Sequence, residues 1–249
     1  MKQFHIDLEY GDIGKYVILT GDPGRVPHIA ELLDSPTFVS SKREYVCYNG
    51  FLAGERVSVL STGIGGPSAA IAVTEAVKCG AHTFIRIGTA GGIKTDVKGG
   101  DTVIATAAIR QEGTSDHYAP KEYPATADFS VTEALVNAAR ESDCDFHAGV
   151  IQSKDSFYGQ HEPENSPVSY ELLSKWESYL KLGVLCSEME CAAIFTVAAS
   201  LGVRAGALLH ILWNKDRQKL SLPDTESFDM STTLSCLITA LKRLIESER

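Results

Sequence analysis

Three glycine-rich segments stand beside residues that could hold an anion: Gly21-Asp22-Pro23-Gly24-Arg25, Ser61-Thr62-Gly63-Ile64-Gly65-Gly66-Pro67-Ser68 and Arg86-Ile87-Gly88-Thr89-Ala90-Gly91-Gly92. Glycine lets backbone N–H groups approach an anion closely, and a helix N-terminus adds a favourable dipole. Arginine supplies a charged fork that matches phosphate oxygens. Any one such segment is more often a plain turn. Arg25, Arg86 and the Thr89 hydroxyl together could clamp a free tetrahedral phosphate. No Gly-Lys-Ser/Thr follows any of them, and the G-x-G-x-x-G spacing is missing, so a nucleoside triphosphate loop and a dinucleotide fingerprint are excluded.

Two further groups carry usable chemistry. Glu188-Met189-Glu190 opens a helical pattern, and a carboxylate there could accept hydrogen bonds from two adjacent sugar hydroxyls. The competing reading is that both glutamates only favour a helix N-terminus electrostatically. In the segment 157–165, Phe157 offers a stacking face, and Gln160 offers a donor beside an acceptor.

The elements that must position these groups alternate along the chain. Short β-branched runs predict strands at 16–20, 57–61, 84–88, 102–107, 148–153 and 206–212. Helical patterns fall at 26–33, 67–79, 131–141, 170–179, 188–201 and 228–246. Strands alternating with helices predict a mostly parallel sheet covered on both faces, a three-layer α/β/α arrangement. Ligands of such sheets bind at the carboxyl ends of strands, where the glycine-rich segments lie. No linker or repeat interrupts the pattern, so residues 1–249 read as one domain.

Bulk properties narrow the function classes. The net charge of −9 and the absence of a Lys/Arg run argue against a nucleic-acid partner. No apolar run approaches the roughly 20 residues of a membrane helix. The segment Met1–Asp7 lacks a signal-peptide stretch, so the expected location is the cytoplasm. Cysteines 47, 79, 144, 186, 191 and 236 show no metal-binding spacing and read as reduced thiols.

Taken in order, Gly21-Asp22-Pro23-x-Arg25, Arg43-Glu44, the 61–68 run, Arg86-Ile87-Gly88-Thr89, Phe157-Tyr158-Gly159-Gln160 and Ser187-Glu188-Met189-Glu190 make the chain recognisable. It resembles the hexameric-type nucleoside phosphorylases, a family of purine nucleoside and uridine phosphorylases, and within it the uridine phosphorylases, over essentially its whole length. The resemblance implies a pentosyltransferase that exchanges a nucleobase for phosphate. It implies a phosphate site from Gly21, Arg25, Arg86 and Thr89, completed by Arg43 of a neighbouring subunit. Thr89, Met189 and Glu190 would hold ribose, with His5 of a neighbour at the 5′-hydroxyl. Phe157, Gln160, Asn165 and Asn214 would face the base, and Arg86, Gln160 and Glu190 would carry catalysis. The partners are then a nucleoside, inorganic phosphate and five more copies of the chain, arranged as a trimer of dimers. No organic cofactor is implied. In some members a potassium ion lies between dimer partners, and the residues that would hold it, Glu44, Ile64 and Ser68, are all present.

One departure stands out. In the family a glutamine and an arginine in the 157–165 segment together mark uridine phosphorylases. Gln160 is kept, but His161-Glu162-Pro163-Glu164-Asn165 supplies no arginine. Asn214 stands where purine-cleaving relatives carry a proton-donating aspartate, which disfavours purines; Lys215 or Arg217 could supply the missing positive charge. Uridine phosphorolysis is the expectation. The alternatives are a purine or broad pyrimidine phosphorylase, a phosphate-independent nucleosidase and a non-catalytic nucleoside-binding protein.

Overall fold

In a computed structural model, which describes residues 1–142 and 144–249, strands and helices alternate. The strands are β1 (Tyr16–Thr20), β2 (Asp34–Lys42), β3 (Tyr45–Leu52), β4 (Glu55–Ser61), β5 (Thr83–Gly92), β6 (Thr102–Gln111), β7 (Ala125–Thr126), β8 (Phe146–Lys154), β9 (Cys186–Glu188) and β10 (Arg204–Trp213). The helices are α1 (Arg25–Ala30), α2 (Gly66–Lys78), α3 (Phe129–Glu141), α4 (Phe157–His161), α5 (Ser169–Leu182), α6 (Cys191–Ser200), α7 (Lys215–Lys219) and α8 (Ser231–Ser247).

All ten strands join one mixed sheet. Strand β1 runs parallel to β4 and β5, and β5 runs parallel to β10. Because β10 also pairs with β6, the path β5-β10-β6-β8-β9 returns to β5 and closes a ring. Helices cover both faces. Buried side chains of α2 and α6 pack on one side of the sheet, and those of α1, α3 and α8 on the other. The expected three-layer α/β architecture is present. The six cysteines are free thiols. Among the described residues no helix is long and apolar enough to cross a membrane.

The six expected strands and six expected helices all exist; β1 has its expected bounds and the others have shifted ends. Two differences matter. The hairpin β2–β3 has no counterpart in the sequence reading, because β2 is an edge strand with mostly exposed residues and a proline, and so shows no alternation. The segment 86–92, read as a turn after a strand, is itself strand. It pairs with β10 as far as Gly91 and with β9 at Gly91 and Gly92. No helix therefore opens directly from this segment.

Candidate active site

The carboxyl ends of β1, β5, β8 and β10 converge with β9 on two adjoining cavities. The larger, about 580 Å³, is lined by Gly21, Arg25, Glu44, Ile64, Arg86, Thr89, Phe157, Met189 and Glu190, among others. The smaller, about 370 Å³, is lined by Gln160, Gln111, Gln152 and the apolar face of α5, with Leu172, Leu173, Trp176 and Tyr179. Gly91, Lys154, His161 and Trp213 border both. Helix α5 has no fully buried residue, because its apolar side faces this cavity instead of the core.

Arg86 organises the larger cavity. It is 3% exposed. Its Nε donates to Glu188 Oε2 at 3.1 Å, and its Nη2 donates to Glu190 Oε2. Gly88, two residues on, makes room for the guanidinium: a Cβ there would lie 2.8 Å from Nη2. Burial opposes the charge, but the two carboxylates outweigh it and raise the Arg86 pKa further. Nη1 is buried with no partner among the described residues, and it lies 4.0 Å from a Cβ built on Gly21. A buried guanidinium N–H without a partner costs free energy, and an anion seated beside Gly21 would remove that cost.

The two glutamates have separate duties, which sequence alone did not separate. Glu188 accepts from the backbone N–H groups of Glu190 and Cys191 at the start of α6, and from the Ser153 hydroxyl. Burial works against its charge, yet Arg86, Ser153 and these N–H groups bring its pKa below the usual glutamate value. Glu188 is the helix-end glutamate, and the sequence reading gave it no individual role. Glu190 makes no capping bond to α6. Its Oε1 accepts from Gly65 N–H at 2.6 Å, where Gly65 has φ +92°, a conformation that L side chains rarely adopt. Burial and the neighbouring Glu188 outweigh Arg86 and push the Glu190 pKa up. Its carboxylate is thus held at the cavity wall by groups from two other segments, Arg86 on β5 and Gly65 before α2.

Phosphorylase superfamily is the family whose model matches residues 15–245. The chain belongs to this family. It is 48% identical over 246 residues to a uridine phosphorylase of Treponema pallidum, covering 99% of this chain and 95% of the relative. It is 39% identical over 247 residues to the uridine phosphorylase of Escherichia coli, covering 97% and 98% respectively. A guanosine phosphorylase of Halorubrum lacusprofundi is 42% identical over 207 residues, covering 83% and 81%.

Within this phosphorylase site, the expected base residues divide. Phe157 is half-exposed at the mouth of the larger cavity, its ring 4.2 Å from that of His161. Burial first, then the charges of Lys215 and Lys154, bring the His161 pKa down to about 4, so the ring is neutral at pH 7. Gln160 borders the smaller cavity, and its Oε1 accepts from the Ser187 hydroxyl at 2.6 Å. Two assignments need correction. Asn165 is exposed, bonded to Glu162, and borders neither cavity. Asn214 is fully buried and fully used: Nδ2 donates to the Lys94 and Val97 carbonyls, and Oδ1 caps α7 through Asp216 and Arg217. No polar atom of Asn214 is free for a base.

His5 and Arg43 border neither cavity of their own chain. Arg43 occupies the tight β2–β3 turn, with φ +56°, and its guanidinium lies 5.7 Å from the Phe4 ring. Phe4 also packs edge-on against His5, whose Nδ1 is 2.6 Å from Glu75 Oε1. The three residues thus form one partly exposed cluster. Ser68 lies at the opening of α2 and donates to the Ile64 carbonyl at 3.1 Å. The Glu44 side chain and the Ser68 hydroxyl both approach Gly63.

Proposed function

We infer that this chain is a uridine phosphorylase, converting uridine and inorganic phosphate to uracil and ribose 1-phosphate. The observation that carries the phosphate half is the buried, unpartnered Nη1 of Arg86 beside Gly21. Full-length likeness to uridine phosphorylases supports the nucleoside half.

Phosphate occupies the cavity against Gly21, Arg25, Arg86 and Thr89. Glu190 accepts from the ribose 2′- and 3′-hydroxyls, and Met189 packs on the sugar. Phe157 stacks on the base, and Gln160 reads its edge. The C1′–N1 bond breaks ahead of attack, and its electron pair leaves with the pyrimidine. Phosphate stabilises the cationic sugar and then forms the C1′–O bond. This is catalysis by positioning and electrostatics, without a covalent enzyme intermediate.

His5 and Arg43 serve a neighbouring subunit's site in a homohexamer. Their joint position on Phe4, away from both cavities, supports this reading. Glu44, the Ile64 carbonyl and Ser68 offer only oxygen donors, which suits a hard cation such as potassium shared across a dimer axis. The protein acts in the cytoplasm, in pyrimidine salvage.

The test is to follow base release from uridine, thymidine, inosine and adenosine, with and without phosphate. Uracil release that requires phosphate is expected. Release that ignores phosphate would overturn the phosphorylase reading. A second reading, purine phosphorolysis, draws on the guanosine phosphorylase relative and on the extra room of the smaller cavity. Purine release exceeding uracil release would favour it.

A further inference from the structure

The departing pyrimidine carries negative charge, and no arginine of segment 157–165 is available to receive it. Arg217, one expected substitute, is committed to the carbonyls of Thr95 and Pro223. Lys215, the other, is exposed, and its ammonium is 3.5 Å from the His161 carbonyl.

We propose that Lys154 is the cationic group of the base site: its ammonium, tethered by Ser187, meets the carbonyl edge of the pyrimidine beside Gln160 and stabilises the charge that develops on leaving. This rests on the uridine reading above. Lys154 ends β8, is 5% exposed and borders both cavities. Its one hydrogen bond runs to the Ser187 hydroxyl at 2.7 Å. An ammonium has three donors, so two remain for a ligand. Among the described residues it forms no ion pair, unlike Arg86, which has two. Ser187 accepts from Lys154 and donates to Gln160 Oε1. The relay turns the Gln160 amide so that its NH₂ is left for the base. Lysine and glutamine then offer donors from the same side to a carbonyl oxygen.

During the step the C1′–N1 pair moves into the ring and onto its carbonyl oxygens. Lys154 keeps its protons, and the uracil anion takes a proton from water after release. Burial is the larger influence on the ammonium and brings its pKa down to about 8, against the opposing pull of Glu188 and Glu190. A buried ammonium without an ion pair among the described residues is well matched to an anionic base. The ionisable groups that act on it or line the smaller cavity with it are Cys186, Glu188 and Glu190 on and after β9, Asp155, His161 and Glu164 around α4, Tyr179 on α5, and Lys215, Asp216 and Lys219 on α7, with Arg86 of β5 in the larger cavity.

The experiment compares wild type, Lys154→Met and Lys154→Arg with uridine and with 5-fluorouridine, whose base is the better leaving group. Lys154→Met is expected to lower kcat/KM for uridine about 10²–10³-fold, as removal of one charge-stabilising donor does. The loss with 5-fluorouridine should be clearly smaller, and the KM for phosphate should stay within roughly threefold. Lys154→Arg should retain more uridine activity and move the fall in kcat/KM above about pH 8 to higher pH, because arginine stays charged. Equal losses on both nucleosides, or none, would overturn the proposal. If Lys154→Met is recovered unfolded, Lys154→Arg still decides it through the pH profile: an unmoved alkaline limb on the same substrate counts against Lys154. Wild type that fails to release uracil would instead sink the uridine reading itself.

Discussion

The end of the site proposed to hold phosphate and ribose is built on strands, whereas the proposed base end draws mainly on a short helix and a loop. At the first, Arg86 on β5, Glu188 on β9 and Glu190 at the start of α6 are each at most 4% exposed and bonded to one another. At the second, Phe157, Tyr158 and Glu162–Asn165 lie largely at the surface, and α4 is only five residues long. The reacting anion and the sugar are common to every nucleoside phosphorylase reaction, so rigid, desolvated groups suit them. The base distinguishes one nucleoside from another. Its proposed walls combine peripheral residues such as Phe157 and Gln160, which can change without unfolding the sheet, with Lys154 at the buried end of β8.

The comparison can be broken at its rigid end first. Arg86→Ala should abolish measurable phosphorolysis. It should also destabilise the fold by about 3–5 kcal/mol in denaturant titration, since it strands two buried carboxylates. Native-like stability in this variant would show that Arg86 is not the organising charge. Glu190→Gln should lower kcat/KM about 10–100-fold, in line with roughly 1.5–3 kcal/mol for a charged hydrogen bond. A 2′,3′-dideoxy substrate should lose little further on this variant; full additivity would separate Glu190 from the ribose hydroxyls.

Effects should shrink toward the base. Gln160→Ala should cost uridine about 1–3 kcal/mol in kcat/KM through its unpaired edge, and inosine less; equal loss on both would make Gln160 a scaffold residue. Phe157→Ala should raise the uridine KM by several-fold, as expected from about 0.5–1.5 kcal/mol of ring stacking. An unchanged KM would leave the exposed ring without a part in binding. Asn165→Arg is the smallest: a surface substitution worth within ±0.5 kcal/mol, or about twofold in turnover. A larger gain with uridine would bring residue 165 back to the base.

Much of this contrast was legible in the sequence. The motifs point to Arg25, Arg86 and Thr89, the family resemblance adds Gly21, Met189 and Glu190, and all six line one cavity. Their motifs are short and lie at strand ends, where periodicity breaks and glycine or charge appears. The misses have physical reasons. Asn214 is polar and near a strand end, and nothing in its type reveals that four backbone groups consume it. Lys154 closes a strand with no motif around it, and its significance arises only from Ser187, more than 30 positions away.

Residue order by itself determined the alternating α/β pattern, residue types able to hold phosphate and a 157–165 segment without arginine, a gap that only the family resemblance makes meaningful. All are local properties: apolar period, glycine at turns, and the identity of a side chain. Tertiary structure decided the ring closed by β5, β10, β6, β8 and β9. It also decided that Glu188 rather than Glu190 serves the helix end, and that a lysine borders both cavities. Those outcomes depend on which strands lie side by side, and so on burial and pairing across the sheet, which no local pattern encodes.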